Sequence, residues 1–393
     1  MQINSTVLVR GALSVALLFL TACGGGGMPV GGGNGSGSGF GAGGGTGGGT
    51  SSGTGGGLTL TGSVSTFAGS ATGVAGLTNG AGTAAMFSSP RGITTDGTNL
   101  YVADAVNNQI RQIVIATGAV TLLVGSPTGL PGSTNGVGTA ALFSGPYDIT
   151  TDGTNLYVVD TNNALIRQIV IATGVVTTLA GGAPGAWTNG TGTAASFNQP
   201  QGITTDGKNL YVSEWNNNDV RQIVIATGVV TTLAGGGTGG VSGLTNGTGT
   251  AALFQNLRGI TTDGTSLYVV DTGNNEIRKI VIATAVVTTL AGSSTGASGL
   301  INGTGTAALF FSPWGITTDG TNLYVSEYLN NDIRQIVIAT GVVTTLAGSA
   351  TGASGLANGT GTAALFNIPA GITGAGTSLY VADSNNNEIR RIQ

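Results

Sequence analysis

Four kinds of short apolar or alternating run recur in fixed order along the chain, in the commonest forms GIT, LYV, IRQIVIA and VTTLAG. Thr-Asp-Gly-Thr joins the first two and Ala-Thr-Gly joins the last two. Asp-Gly and Thr-Gly supply the positive φ that tight reversals need. The runs have strand lengths, and no segment keeps a helical period over three turns. The pattern predicts four antiparallel strands, here named a, b, c and d in chain order.

This group of four strands repeats six times. The acidic residue that ends strand b recurs at intervals of 54 to 57 residues. A period this long, with hairpins inside it, favours a β-propeller over a β-solenoid, whose coils take about 20–30 residues and lack tight hairpins. The predicted fold class is therefore all-β, a six-bladed β-propeller of four-stranded antiparallel blades.

The repeat array begins with strand d and ends with strand c. Strand d occurs first at VSTFAG, residues 64–69, before any a, b or c strand. The last strand c, EIRRIQ at residues 388–393, has no strand d after it. A ring closes if the N-terminal d strand completes the last blade, which leaves no open sheet edge. Such a closed ring also predicts a monomer.

The first 57 residues lack the strand pattern. Arg10 and the apolar run at 11–20 read as an export signal, and the run is too short to span a bilayer. The tetrapeptide LTAC at residues 20–23 resembles the lipobox of bacterial lipoproteins. That resemblance implies a signal peptide over 1–22, a lipidated Cys23 and an exported protein on the outer membrane or cell surface, or facing the periplasm. Gly, Ser and Thr dominate residues 23–57 and predict a disordered tether of roughly 30 Å.

Composition narrows the classes of partner and chemistry. The net charge is −4 and the 12 Lys and Arg residues are scattered singly, so no basic stripe predicts a nucleic-acid partner. The chain has no histidine. No Ser/His/Asp, Cys/His or zinc-spaced set can therefore be built, and no catalytic residue or resident metal is predicted. Oxygen ligands alone leave a calcium site open as an alternative.

The repeated phrases NGTGTAALF, PxGI, LYVxD, NNxIR and VTTLAG resemble the bacterial pattern of the NHL-repeat family of β-propellers over residues 64–393. The family's usual Asp-Gly in the long loop is Asn-Gly here, which argues against a metal role for that position. The asparagines are Asn79, Asn135, Asn189, Asn246, Asn302 and Asn358.

Antiparallel parity places the b–c turns and the d–a loops on one face, the top, and the a–b and c–d turns on the other face, the bottom. The repeats differ mainly at the top. The residue before GI in each copy is Arg91, Tyr147, Gln201, Arg258, Trp314 or Ala370. Asp148 replaces one glycine, Trp215 and Tyr328 follow strand b acids, and Trp187 lies in the third loop. Aromatic, Arg and Gln side chains at a channel mouth predict a site for an extended peptide or a glycan, and unselected drift is the alternative.

An arginine follows each strand b acid seven residues later. The pairs are Asp104 and Arg111, Asp160 and Arg167, Glu214 and Arg221, Asp271 and Arg278, Glu327 and Arg334, and Asp383 and Arg390. A feature present in every copy indicates scaffold. We expect each pair to brace its b–c hairpin, with the acid accepting turn amides.

Three classes of function follow. The first is a membrane-tethered, non-catalytic binding or scaffold propeller that presents its top face to a protein, peptide or glycan in the cell envelope. The second is an enzyme, because the resemblance extends to six-bladed lyases and lactonases with a metal on the axis. Those sites rely on histidine, so only a calcium-dependent version suits this chain. The third is an inert structural spacer.

Overall fold

The computed structural model describes residues 57–182, 185, 187–236 and 240–393. The predicted signal peptide, the lipidation site Cys23 and all but the last residue of the predicted tether lie outside these residues. Within the described part, no helix is long and apolar enough to cross a membrane.

Six antiparallel sheets form a ring, and strand a of each blade packs against the a strands of its two neighbours. The a strands are Pro90–Thr95, Pro146–Thr151, Pro200–Thr205, Leu257–Thr262, Pro313–Thr318 and Pro369–Ala375. The b strands are Asn99–Asp104, Asn155–Asp160, Asn209–Glu214, Ser266–Asp271, Asn322–Glu327 and Ser378–Asp383. Blades are numbered 1 to 6 in this order. The all-β, six-bladed prediction is confirmed.

The outer strands follow the same order. The c strands are Gln109–Val114, Leu165–Val170, Asp219–Val224, Glu276–Val281, Asp332–Val337 and Glu388–Ile392. The d strands of blades 1 to 5 are Ala119–Gly125, Val175–Ala180, Val229–Gly235, Val286–Gly292 and Val342–Gly348. Short 3-10 turns begin at Gly82, Gly138, Gly192, Gly249, Gly305 and Gly361, and three more follow b strands at Thr161–Asn163, Thr272–Asn274 and Ser384–Asn386.

Each blade has five strands, whereas the sequence predicted four. The fifth comes from the long d–a loop and pairs with strand d of its own blade. These strands are Gly80–Ala81, Gly136–Val137, Gly190–Thr191, Gly247–Thr248, Gly303–Thr304 and Gly359–Thr360. Two residues are too few to carry an alternating pattern, so periodicity could not reveal them. Each of them pairs with two residues of strand d at the outer edge of its sheet.

The ring closes as the sequence predicted. Ser63–Gly69 is strand d of blade 6 and pairs antiparallel with Glu388–Ile392, with Val64 opposite Ile392. The backbone N–H groups of Thr61 and Ser63 also donate to the carbonyl of Gln393 at 2.9 and 3.1 Å. The first and last strands of the array thus share one sheet.

The core consists of six apolar clusters, one between each pair of neighbouring blades. Strand b contributes to two of them at once. In blade 1, Leu100 and Val102 face blade 6, whereas Tyr101 and Ala103 face blade 2. Burial on both faces explains why strand b is apolar at consecutive positions.

The bottom face carries the tight turns. In blade 1 the Asp96 carboxylate accepts the backbone N–H groups of Thr98 and Asn99 at 2.8 and 2.6 Å, and the Tyr101 hydroxyl at 2.7 Å. Gly97 follows with φ of 89°. The same arrangement recurs at Asp152, Asp206, Asp263 and Asp319. These aspartates serve turn formation.

Candidate functional site

Strand a starts at the top of each blade, so its second residue reaches the mouth of the central channel. Six side chains meet there and are called the mouth cluster: Arg91, Tyr147, Trp215, Arg258, Trp314 and Tyr328. They come from blades 1 to 5. The cluster therefore joins residues that are far apart in sequence but occupy only two positions of the repeat, the second residue of strand a and the residue after strand b.

Arg258 lies among three aromatic rings. Its guanidinium carbon is 3.4 Å from the centre of the Trp314 ring and 4.3 Å from that of Trp215. Its Nη1 also donates a hydrogen bond to the Tyr147 hydroxyl. A guanidinium over an aromatic face is attracted by the ring quadrupole, so these contacts hold the arginine in place.

Arg91 approaches the same rings from the opposite side of the ring of blades. Its guanidinium carbon is 4.5 Å from the Tyr147 ring centre and 5.3 Å from that of Trp314. The Tyr147 and Trp314 rings are parallel to within 5°, with centres 5.8 Å apart. Tyr328 stacks on Trp314 at 4.8 Å. The aromatic rings thus form a layered support for two cations.

The mouth cluster is electropositive. Neither Arg91 nor Arg258 forms an ion pair with any carboxylate that the structure describes. Burial, with the positive charge of Arg91 nearby, lowers the pKa of Arg258 to about 10, so it remains protonated at neutral pH. Burial raises the pKa of Tyr147, which stays neutral. Two positive charges thus remain without a counter-ion.

A groove of about 480 Å³ opens beside the mouth over blades 1 to 3 and is called the top-face groove. Arg91, Tyr147 and Gln201 belong both to the mouth and to this groove. The other lining residues are Ala105, Val106, Asn108, Pro131, Ser144, Gly145, Thr161, Asn162 and Gln199. Gln201 is 6% exposed, and its Oε1 accepts no hydrogen bond from the described residues. The channel below holds only about 60 Å³, room for a few waters.

The six acid–arginine pairs lie away from the mouth and are ion pairs of 2.8 to 3.0 Å with fully buried side chains. In blade 1, Arg111 also donates to the Met86 and Thr78 carbonyls and to Asn79 Oδ1. The acid accepts Ser88 N–H, which belongs to the d–a loop and not to the b–c turn as the sequence suggested. The turn contributes the Asn107 side chain instead. Each pair therefore ties the long loop to its blade, and the Asn-Gly asparagine is one of the tied groups.

Comparison with known proteins completes this description. No family model matches the chain. NHL repeat-containing protein 2 of Bos taurus is 28% identical over 338 residues, which cover 77% of this chain and 46% of that protein. SUPPRESSOR OF QUENCHING 1, chloroplastic, of Arabidopsis thaliana is 29% identical over 280 residues, or 67% of this chain and 26% of that protein. The chain spans less than half the length of these relatives.

Homology over three quarters of the chain and a closed ring of six matching repeats agree. The chain is a six-bladed β-propeller that is similar in sequence to NHL repeat-containing proteins. Solved structures share this fold. A protein of unknown function from Bacteroides thetaiotaomicron has a TM-score of 0.64 at 21% identity, over 84% of this chain and 75% of that one. An auxiliary nutrient binding protein from the same organism has a TM-score of 0.63 at 18% identity, over 84% and 76%.

Asp148 lies below the mouth, in a ring of glycines that lines the channel. At Gly202 a Cβ would lie 2.3 Å from the Arg258 carbonyl oxygen of the next blade, so the ring needs glycine for close packing of a strands. Asp148 accepts the N–H groups of Ile149 and Ile203 at 2.9 and 3.0 Å. Burial raises its pKa to about 7. Its place is in the channel wall, beneath the ligand face.

Trp187 is the remaining aromatic residue proposed from sequence for the ligand face. Its Nε1 donates to Asp219 Oδ2 at 2.5 Å, and Asp219 is the first residue of strand c in blade 3. That contact gives the Trp187 side chain a structural partner outside the mouth cluster. In the described part of the chain, no three His, Cys, Asp or Glu side chains are grouped so that they could hold a metal ion.

Sequence reasoning missed the groove residues Asn162 and Gln199. For Gln199 a usable signal was present three positions before GI, at a residue that differs between repeats just as the residue directly before GI does. The six are Ser89, Gly145, Gln199, Asn256, Ser312 and Ile368, with φ between 49° and 58°. Left-handed backbone is unusual for residues other than glycine, above all for Ile368. The d–a loop thus turns sharply just before entering the channel wall.

Proposed function

We propose that this chain is a non-catalytic binding protein that holds an extended protein, peptide or glycan ligand at the mouth cluster and the top-face groove. The observation that carries the proposal is the mouth cluster itself. The repeats are nearly identical, yet their differences place two arginines and four aromatic rings in mutual contact at one point. An aromatic and polar concave surface of this kind suits ligand binding.

The binding test uses the full chain with Cys23→Ser, which removes the predicted lipid attachment. Binding to glycan and peptide arrays is compared between this protein, a triple variant Trp215→Ala/Arg258→Ala/Trp314→Ala, and a control variant Arg391→Gln. Arg391 lies on strand c of blade 6, where its Nε donates to Ser378 Oγ. Signals lost only in the triple variant support the proposal. Equal signals for all three, or no signal for any, would leave the inert spacer as the better account.

The proposed setting is the cell envelope, with the propeller held by a lipid on Cys23 and an outer-membrane or cell-surface location. The LTAC tetrapeptide supports this proposal. The shared fold with a bacterial auxiliary nutrient binding protein is compatible with it. Partition of the wild-type chain, but not of Cys23→Ser, into the detergent phase of a bacterial lysate is the expected result. Equal partition of both would refute the anchor.

A further inference from the structure

The two arginines at the mouth differ from the six ion-paired arginines of strand c, because they have no carboxylate partner among the described residues. Both guanidinium carbons of Arg91 and Arg258 lie within 5.3 Å of the Trp314 ring centre. They come from blades 1 and 4, which are opposite each other in the ring. Both side chains are partly buried, and a partly desolvated cation without a counter-ion is costly. An anion at the mouth would therefore be stabilised by both guanidinium groups.

The shape of the surroundings favours a carbohydrate over a peptide strand. One way in which an extended peptide binds is by adding a strand to an open sheet edge. In every blade here the fifth strand already pairs with two residues of strand d at that edge. The groove instead offers the exposed amides of Asn162 and Gln199, and Tyr147 is among the residues that line it. Flat rings and amides suit the apolar faces and hydroxyl groups of sugars.

Gln201 adds an independent observation. Its Oε1 is buried, lies beside both the mouth and the groove, and accepts no hydrogen bond from the described residues. A buried acceptor without a donor destabilises the free protein. A hydroxyl group of a ligand that reaches the mouth would supply that donor. The anion site and the free acceptor thus call for one ligand with a negative group and hydroxyl groups.

We infer that the ligand is an acidic oligosaccharide, and that Arg91 and Arg258 hold its carboxylate while Gln201 accepts one of its hydroxyl groups. This inference rests on the proposed binding function. Carboxylate and guanidinium form charge-assisted hydrogen bonds, which are stronger than neutral ones. Tyr147 and Trp314 fix the two guanidinium groups before the ligand arrives, which limits the entropy lost on binding.

The test measures dissociation constants by calorimetry with the full chain carrying Cys23→Ser. The probes are trisaccharides of galacturonate, glucuronate and mannuronate, each beside its carboxyl-reduced form, which has the same stereochemistry without the charge. We expect the best acid to bind at least tenfold more tightly than its reduced form. Arg91→Gln/Arg258→Gln should abolish that difference, and Arg391→Gln should retain it. The acid-to-reduced comparison needs no variant and so does not depend on how the arginine variants fold.

Each other outcome overturns a defined part of the inference. Equal binding of acid and reduced forms would remove the role of charge and leave the binding function standing. Binding of a sulfated oligosaccharide or a glutamate-rich peptide, with none of the uronates, would replace the carboxylate sugar by another anion. Failure of every glycan and peptide to bind would overturn the proposed function itself.

Discussion

The arginines of strand c and the arginines of the mouth are the same side chain in opposite surroundings. The third residue of strand c is an arginine in all six blades, and each of these arginines has a carboxylate oxygen within 3.0 Å. Arg91 and Arg258 have aromatic rings around them and no described carboxylate partner. They occur at a position that differs from blade to blade. The repeated arginines therefore belong to the scaffold, and the variable ones belong to the proposed ligand face.

Loss of a scaffold arginine should have the largest effect. Arg334→Leu would leave Glu327 and Asp332 buried without their cation, because both carboxylates lie within 3.8 Å of that guanidinium. Removing one partner of a buried pair costs about 3–5 kcal/mol. We expect a loss of that size in the free energy of unfolding, measured with urea at pH 7.

The matched control is Arg258→Leu at the mouth. It removes a partly buried charge that has no counter-ion among the described residues, so the free energy of unfolding should change little or rise, while ligand binding is lost. Equal destabilisation by Arg334→Leu and Arg258→Leu would contradict the distinction between the two kinds of arginine.

A second carboxylate shares the scaffold arginine in blades 3 to 6, at the first residue of strand c. The distances from arginine Nε to Asp219, Glu276, Asp332 and Glu388 are 3.5 to 3.9 Å. Blades with Glu at the end of strand b have Asp here, and blades with Asp there have Glu. The paired side chains thus keep a constant total length. Blade 1 has the neutral Gln109 instead.

The extra carboxylates make stability depend on pH. Burial is the largest cause that raises the pKa of Glu276 and Glu388 to about 7, from an ordinary value of 4.5. An acid whose pKa is higher in the folded state stabilises that state when protonated. This contribution is complete below 4.5 and disappears as the pH rises through 7. We expect the free energy of unfolding to be about 1–3 kcal/mol greater at pH 5 than at pH 8.

The control for this pH effect is Glu276→Gln/Glu388→Gln, which copies the residue type of blade 1. Neutral amides cannot titrate, so the double variant should gain stability at pH 8 and show a smaller difference between pH 5 and pH 8. A pH dependence unchanged from wild type would assign the effect to other groups.

The sequence predicts the blades well because each blade is local. Strand order, closure by residues 64–69 and the six positions at the mouth all follow from one repeated pattern. Contacts between blades do not. Arg258 meets Tyr147 across 111 residues, and Asp148 accepts an N–H group 55 residues away. The position of a residue in the repeat predicts whether it lies at the top or the bottom of its blade. The direction of its side chain decides which residues of other blades it contacts, and the repeat does not give that direction.

Blade 2 provides the smallest test, because it departs from the others at a scaffold position. In five blades an asparagine with φ of 53° to 56° ends the b–c turn, and its Oδ1 accepts an N–H group of the next blade at 2.7 to 2.9 Å. These residues are Asn108, Asn218, Asn275, Asn331 and Asn387. Blade 2 has Ala164 with φ of 54° and no side-chain acceptor.

Ala164→Asn should stabilise the propeller by about 1 kcal/mol, because asparagine tolerates left-handed backbone better and can accept the Gln199 N–H group. Thermal and urea unfolding measure the gain, and Asn331→Ala should give a loss of similar size. If Ala164→Asn did not raise stability, the hydrogen bond between blades that Ala164 lacks would have no measurable effect on stability. A gain in stability from Ala164→Asn, with ligand binding unchanged, would distinguish scaffold positions from mouth positions. It would show that a residue that differs from the repeat at a scaffold position lowers stability.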